Sequence, residues 1–189
     1  MTETPELTIY EKTFAKSDKT DAILLVDGKK LHVNKALLSY HSEYFSALFN
    51  SDFKEKSIEE VEIKDVNFED FATILSLIQP NPIFPTEENA GRLLELADRF
   101  LLHSAKRQLE MFILAPKISS VQKLKLADKY CSDIVTEHAL ELFTSPGDLI
   151  GLGKIEELSD TTKARIFDRI YKIQEKVLAP PFSFRRFGE

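Results

Sequence analysis

Four histidines, one cysteine and thirty-one carboxylates are the groups in this 189-residue chain that could ligate a metal or move a proton. His32, His41, His103 and His138 show no ligand spacing with one another or with Cys131, so no metal site is indicated. The densest glycines, Gly147, Gly151 and Gly153, lack the preceding strand and the Lys-Ser/Thr ending that a phosphate loop needs. There is no Gly-x-Ser-x-Gly elbow, and no carboxylate pair is singled out for acid–base work. No catalytic residue can be named, and neither metal nor cofactor is expected. Charge does cluster once. Between Asn50 and Asp70, the acids Asp52, Glu55, Glu59, Glu60, Glu62, Asp65, Glu69 and Asp70 face only Lys54, Lys56 and Lys64. The stretch is either a solvated loop and helix start or an acidic surface that steers a basic partner. Phe53, between Asp52 and Lys54, is either tucked into its own core or offered to a partner.

The elements that must position these residues are legible from periodicity. Ala22-Ile23-Leu24-Leu25-Val26 reads as a strand and Leu31-His32-Val33 as a second. Asp27-Gly28 between them is a hairpin signal, because both residues tolerate positive φ. Asn34 caps a helix through Leu37 and Leu38, and Ser42 caps another carrying Tyr44, Phe45, Leu48 and Phe49. Val61-Glu62-Ile63 is a short third strand. Asn67 begins a helix in which Phe68, Phe71, Ile74, Leu75 and Ile78 recur at helical spacing, with Glu69 and Asp70 favoured in its first turn by the helix dipole. Pro80, Pro82 and Pro85 end it. From Thr86 the chain reads helical, with breaks near His103-Ser104, Pro116, Ser132-Asp133, Ser145-Pro146-Gly147 and Ser159-Asp160. Leu94-Glu95-Leu96-Ala97-Asp98-Arg99-Phe100 recurs thirty residues on as Leu124-Lys125-Leu126-Ala127-Asp128-Lys129-Tyr130, the period of a helical hairpin, so either one such hairpin stacks on another or two amphipathic helices coincide in sequence; the first is expected. The fold class is α+β with an all-helical continuation. Residues 1–20 are open between a tail, an edge strand and a helix.

Composition narrows the function. The net charge is −6, without the basic excess of a phosphate-neutralising surface, so nucleic-acid binding is not expected; Lys123/Lys125 and Arg185-Arg186 read as solvated surface. The single cysteine cannot form an internal disulfide, which points to a reducing, intracellular compartment, cytoplasmic or nuclear; Cys131 itself reads as a small apolar residue in a helix. Met1 to Leu7 shows no signal-peptide core, and no apolar run reaches the roughly 18 residues a membrane span needs.

Set in order, these strings resemble a known family. Asp21 to Lys35 is similar to the opening of BTB/POZ domains, an Asp-hydrophobic strand, a hairpin and a second strand. Leu37 to Phe49, Phe53-Lys54-Glu55-Lys56, Val61 to Val66 and Leu93 to Asp98 continue the pattern in sequence. The style is that of the BTB portion of MATH-BTB proteins, although no MATH domain fits in the twenty residues upstream. The resemblance implies a BTB/POZ domain over 21–114, a helical extension over 115–179 similar to the three-box or BACK region, a tail over 180–189, and an N-terminal segment over 1–20 that could serve as a dimer arm.

The same resemblance implies a protein-interaction module rather than an enzyme. It implies a homodimer or a heterodimer with other BTB proteins, and docking to cullin-3 as substrate adaptor of a ubiquitin ligase, with the ubiquitination substrate unidentified. Phe53-Lys54-Glu55 fits the cullin-binding pattern of a hydrophobic residue, any residue and glutamate, which makes Phe53 the anchor. Asp21 and Lys35 stand where the family often places a charged pair near the dimer pocket. Ala36, Leu37 and Tyr40 lie on the first helix after the hairpin, the family's dimer helix, and Leu7, Ile9 and Phe14 could join them. Asn34 replaces the usual histidine, and Gln79 stands near where an aromatic ring is typical. The competing reading is an oligomerisation scaffold, or a regulatory subunit that pairs with other BTB proteins without binding cullin-3.

Overall fold

The computed structural model describes residues 7–50, 60–148, 153 and 155–178. Helix α1 (Ile9–Thr13) settles part of the N-terminal segment. Thr8 and Glu11 form a reciprocal capping box, Thr8 N donating to the Glu11 carboxylate at 2.8 Å and Glu11 N to Thr8 Oγ1 at 3.3 Å. Those bonds hold the Glu11 carboxyl below the usual carboxylate range. The Thr-x-x-Glu spacing is itself a helix-start signal. Phe14, next in the chain, is 2% exposed, and its carbonyl accepts from His32 N at 3.1 Å. Phe14 is therefore core and is not available to a dimer arm. Leu7 and Ile9 are exposed.

Strands β1 (Ala22–Val26) and β2 (Lys29–Val33) pair antiparallel through Asp27 and Gly28, whose φ values are 49° and 73°. Two consecutive positive φ angles are what a two-residue type I′ turn requires. Asp27 also reaches beyond the turn, its carboxylate accepting from Phe68 N at 3.0 Å. Strand β3 (Glu60–Ile63) lies parallel to β1, giving the order β2-β1-β3. Ala22, Leu24 and Val26 point into the core, while Ile23 and Leu25 are half-buried.

Between β2 and β3 run α2 (Lys35–His41) and α3 (Glu43–Asn50). Asn34 caps α2 by accepting from Leu37 N at 2.8 Å. Helix α4 (Phe68–Ser76) starts at Asn67, which accepts from Glu69 N and Asp70 N, and is buried almost all round. A helix so enclosed must satisfy its polar groups internally. Thr73 donates to Glu69 O and Ser76 to Thr73 O, both at 2.7 Å. Asp70, 6% exposed, receives Arg92 Nε at 2.6 Å and Nη2 at 3.3 Å, so this acid is an ion-paired core residue rather than a solubilising one. Helices α5 (Ala90–Arg99) and α6 (His103–Leu114) complete the first of two compact units, Met1–Ala115. Phe100, 1% exposed, stacks on Phe45 at 5.9 Å and meets Phe71 edge-on at 5.0 Å.

The second unit, Pro116–Glu189, contains α7 (Ser120–Lys129), α8 (Asp133–Glu141) and α9 (Asp160–Leu178), with a 3-10 turn at Ile155–Glu157. Leu124, Ala139, Leu140, Phe143 and Ile166 form its core. Asp128 ties α7 to the start of α9, accepting from Ser159; burial alone would raise its carboxyl, but bonds from Ser159 and Thr162 hold it low. Two readings of this region change. Cys131 is not inside a helix; it follows α7, exposed, at φ 51°. Lys123 is not solvated surface; it is 1% exposed, and burial pushes its ammonium below the usual lysine range. Its Nζ lies 3.3 Å from His138 Nε2. Lys125 is exposed, and Arg185-Arg186 lies outside the described residues.

Candidate protein-interaction surface

Helix α2 presents an exposed aromatic on its outer side. Leu38 points inward at 3% exposure, which turns Ala36 and Tyr40, one helical turn apart, to the outside with Leu37 half-buried beside them. Tyr40 is 85% exposed and braced edge-on by His41 at 5.0 Å. A large aromatic held open in this way exposes apolar area that a partner could bury.

The base of that helix is fixed by polar bonds. Asp21 accepts from Lys35 N at 2.7 Å, so it contacts the backbone at the helix start instead of pairing with the lysine side chain. The Lys35 ammonium lies 5.9 Å from the Phe49 ring centroid and makes no ion pair among the described residues. Asn34 also donates to Lys19 O at 2.7 Å. A shallow cavity of about 200 Å³ opens between Lys16, Asp21, Ile23 and His32. Asp21 and Lys35 are thus brought together, though by a side chain-to-backbone bond, and Ala36, Leu37 and Tyr40 share the adjoining helix.

At the far end of α2, Ser42 is 2% exposed, accepts from Phe45 N at 3.1 Å and donates to Phe100 O at 2.6 Å. This one hydroxyl both caps α3 and fastens it to the end of α5. His41 Nδ1 lies 3.0 Å from Ser104 Oγ, and His103 Nε2 lies 3.4 Å from the Glu43 carboxylate. These histidines act as struts between helices. No group of three or more His, Cys, Asp or Glu among the described residues could hold a metal ion.

Phe53, Lys54 and Glu55 lie outside the described residues. What flanks them is described: α3 ends at Asn50, and its outer side carries Glu43, Ser46, Ala47 and Asn50 along an open groove. Gln79 is half-buried just beyond α4, and its backbone N donates to Ser76 O at 2.8 Å. No described helix is long and apolar enough to cross a membrane.

A strand hairpin, two capped helices, a parallel third strand and a buried helix, in that order, match a known domain. The family model for the BTB/POZ domain matches residues 10–117. The chain belongs to the BTB/POZ family, a family of protein–protein interaction domains, and has its α+β fold with a helical C-terminal part. Among curated proteins it is similar to BTB and MATH domain-containing protein 38 of Caenorhabditis elegans, 34% identical over 170 residues, covering 87% of this chain and 43% of that one. It is also similar to BTB and MATH domain-containing protein 36 of the same organism, 36% identical over 116 residues, covering 61% and 36%. The chain therefore spans less than half the length of these relatives. Among solved structures, the BTB domain of human gigaxonin is matched at a TM-score of 0.44 and 21% identity, over 59% of this chain and 99% of that one.

Proposed function

We propose that the chain is a homodimeric substrate adaptor of a cullin-3 RING ubiquitin ligase and docks the cullin through Phe53, Lys54 and Glu55. The observation that carries this is position. Phe53 stands three residues beyond the end of α3, inside the family match, where the resemblance puts the hydrophobic-x-glutamate pattern. An aromatic anchor buried in a partner's pocket contributes about 2 kcal/mol or more when truncated, roughly thirtyfold in affinity. Glu55 would accept a charge-assisted hydrogen bond across the same contact. The exposed face of α2, with Ala36, Leu37 and Tyr40 beside Asp21 and Lys35, would supply the isologous dimer contact.

Titration calorimetry of the full chain with the cullin-3 N-terminal region tests the docking. Phe53→Ala and Glu55→Ala should each weaken binding, the first by roughly thirtyfold. Absence of binding by the unmodified chain, or unchanged binding by both variants, would refute the adaptor role. A dimer that ignores the cullin would leave the oligomerisation-scaffold reading in its place.

A further inference from the structure

The acidic excess of this chain is not evenly spread. The first 115 residues carry twenty acids against thirteen bases, the remaining seventy-four eleven against twelve. Within the second unit the bases are organised. Arg169, Lys172 and Lys176 follow one another on α9 at intervals of three and four, which places them on one side of the helix. With Thr144, Ile173 and Val177 they line a groove of about 300 Å³.

The groove's lining is cationic over an apolar floor. Ile173 is 6% exposed and Val177, one turn on, 79%. Arg169 is held in place because Nε and Nη2 donate to Phe143 O at 3.0 and 2.8 Å, and Nη2 also to Glu141 O at 3.0 Å. Those carbonyls offset part of its charge. Lys172 and Lys176 have no acceptor among the described residues, so their ammonium groups are available. Arg165, one turn before Arg169 on α9, is engaged instead, pairing with Asp133 at 2.7 Å and Glu137 at 3.8 Å. Of the acids nearby, Asp148 is engaged by its own loop, accepting from Thr144 N, Thr144 Oγ1 and Ser145 N at 2.7 to 3.1 Å, while Glu137, Glu141 and Asp168 line the adjoining cavity on the other side of Arg169 and Lys172.

We propose that this groove docks an acidic peptide segment of a partner protein, in extended conformation, with carboxylates at alternate positions and an apolar side chain beside them. The spacing supports an extended strand: four residues of helix rise about 6 Å between Lys172 and Lys176. Alternate residues of an extended chain are separated by about 6.6 Å. The chain's net charge of −6 disfavours a long polyanion such as duplex DNA, while a short acidic segment meets only the local charge. This docking is independent of whether the chain binds a cullin.

Fluorescence anisotropy of the full chain with a fluorescein-labelled hexapeptide alternating glutamate and valine tests the proposal. Binding should saturate, weaken with added salt, and fall roughly tenfold or more in Lys172→Glu/Lys176→Glu. The double variant Lys117→Glu/Lys125→Glu makes the same charge change at exposed positions of the same unit and should bind within about twofold of wild type. If circular dichroism shows the glutamate pair unfolded, Lys172→Gln/Lys176→Gln carries the comparison, with a smaller loss expected. Any of three results overturns the proposal: no saturable binding, equal loss in the control pair, or equally tight binding of a glutamine-for-glutamate peptide or of duplex DNA.

Discussion

Replacing Ser42 by alanine should destabilise the first unit by about 2–4 kcal/mol, well beyond the loss of an ordinary helix cap. Two terms build that figure. The hydroxyl accepts from Phe45 N as the N-cap of α3, a contribution of about 1 kcal/mol in most helices. It also donates to the Phe100 carbonyl at 2.6 Å inside a site 2% exposed, and an acceptor left unsatisfied there costs roughly 1–3 kcal/mol. Ser119 provides the comparison. It caps α7 by accepting from Gln122 N at 3.2 Å, is exposed, and makes no second bond into a core. Ser119→Ala should therefore cost only about 1 kcal/mol. Urea unfolding of both variants, followed by far-ultraviolet circular dichroism, gives the two losses. If Ser42→Ala costs no more than Ser119→Ala, the Phe100 bond contributes nothing and the hydroxyl is only a cap.

Other outcomes follow from the same geometry. Cys131→Gly should stabilise the second unit by about 0.5–1 kcal/mol, since a non-glycine residue at positive φ is strained and glycine recovers most of that after its own entropy cost; a lower melting temperature would contradict this. Lys123→Leu should be at least as stable as wild type at neutral pH. Because burial lowers the folded-state pKa of Lys123, the native chain loses that proton before the unfolded chain does, so wild type gains stability as pH rises from the folded value towards the unfolded one. The advantage of Lys123→Leu should therefore shrink between pH 7 and pH 10, and a pH-independent difference in melting temperature would rule out a buried charge. Tyr40→Arg should lower the mass measured by light scattering towards that of a monomer while moving the urea midpoint little, because the ring is 85% exposed; a stable, unchanged dimer would take the interface off α2.

Much of the first unit was legible because its signals are local. Asp27-Gly28, Asn34, Ser42 and Asn67 each announce a turn or cap through chemistry that acts within a few residues, and each does so in the structure. Helix α1 had such a signal too, the Thr8-x-x-Glu11 box, which the scattered apolar residues around it obscured. What local pattern does not carry is the second partner of a polar group. Asp27 reaches Phe68, Ser42 reaches Phe100 and Asp70 reaches Arg92, across 41, 58 and 22 residues. The candidate surface divides in the same way. Ala36, Leu37 and Tyr40 follow from helix phase once Leu38 is known to be inside, whereas Asp21 meeting the backbone of Lys35 depends on how β1 and α2 come together.

The thirty-residue repeat shows how much such a pattern transmits. Both copies end alike: Leu101 and Cys131 take φ of 50° and 51°, and Leu102 N and Ser132 N reach back to Ala97 O and Ala127 O at 2.8 and 2.9 Å. That is a Schellman closure, usually built on glycine, here formed twice without it. The bond pattern and the burial of Phe100 and Tyr130 therefore set the turn, and the strained residue tolerates it. Burial follows the same register, with Leu94 matching Leu124 and Ala97 matching Ala127, all at or below 2% exposure. Carried one position back, the register aligns Lys123 with Leu93, which is fully buried. A lysine read alone looks like surface; read through the repeat, it occupies a core position. The lowered pKa of Lys123 is thus the cost of an ammonium standing where the first copy has a leucine, and Lys123→Leu is the substitution that the repeat itself specifies.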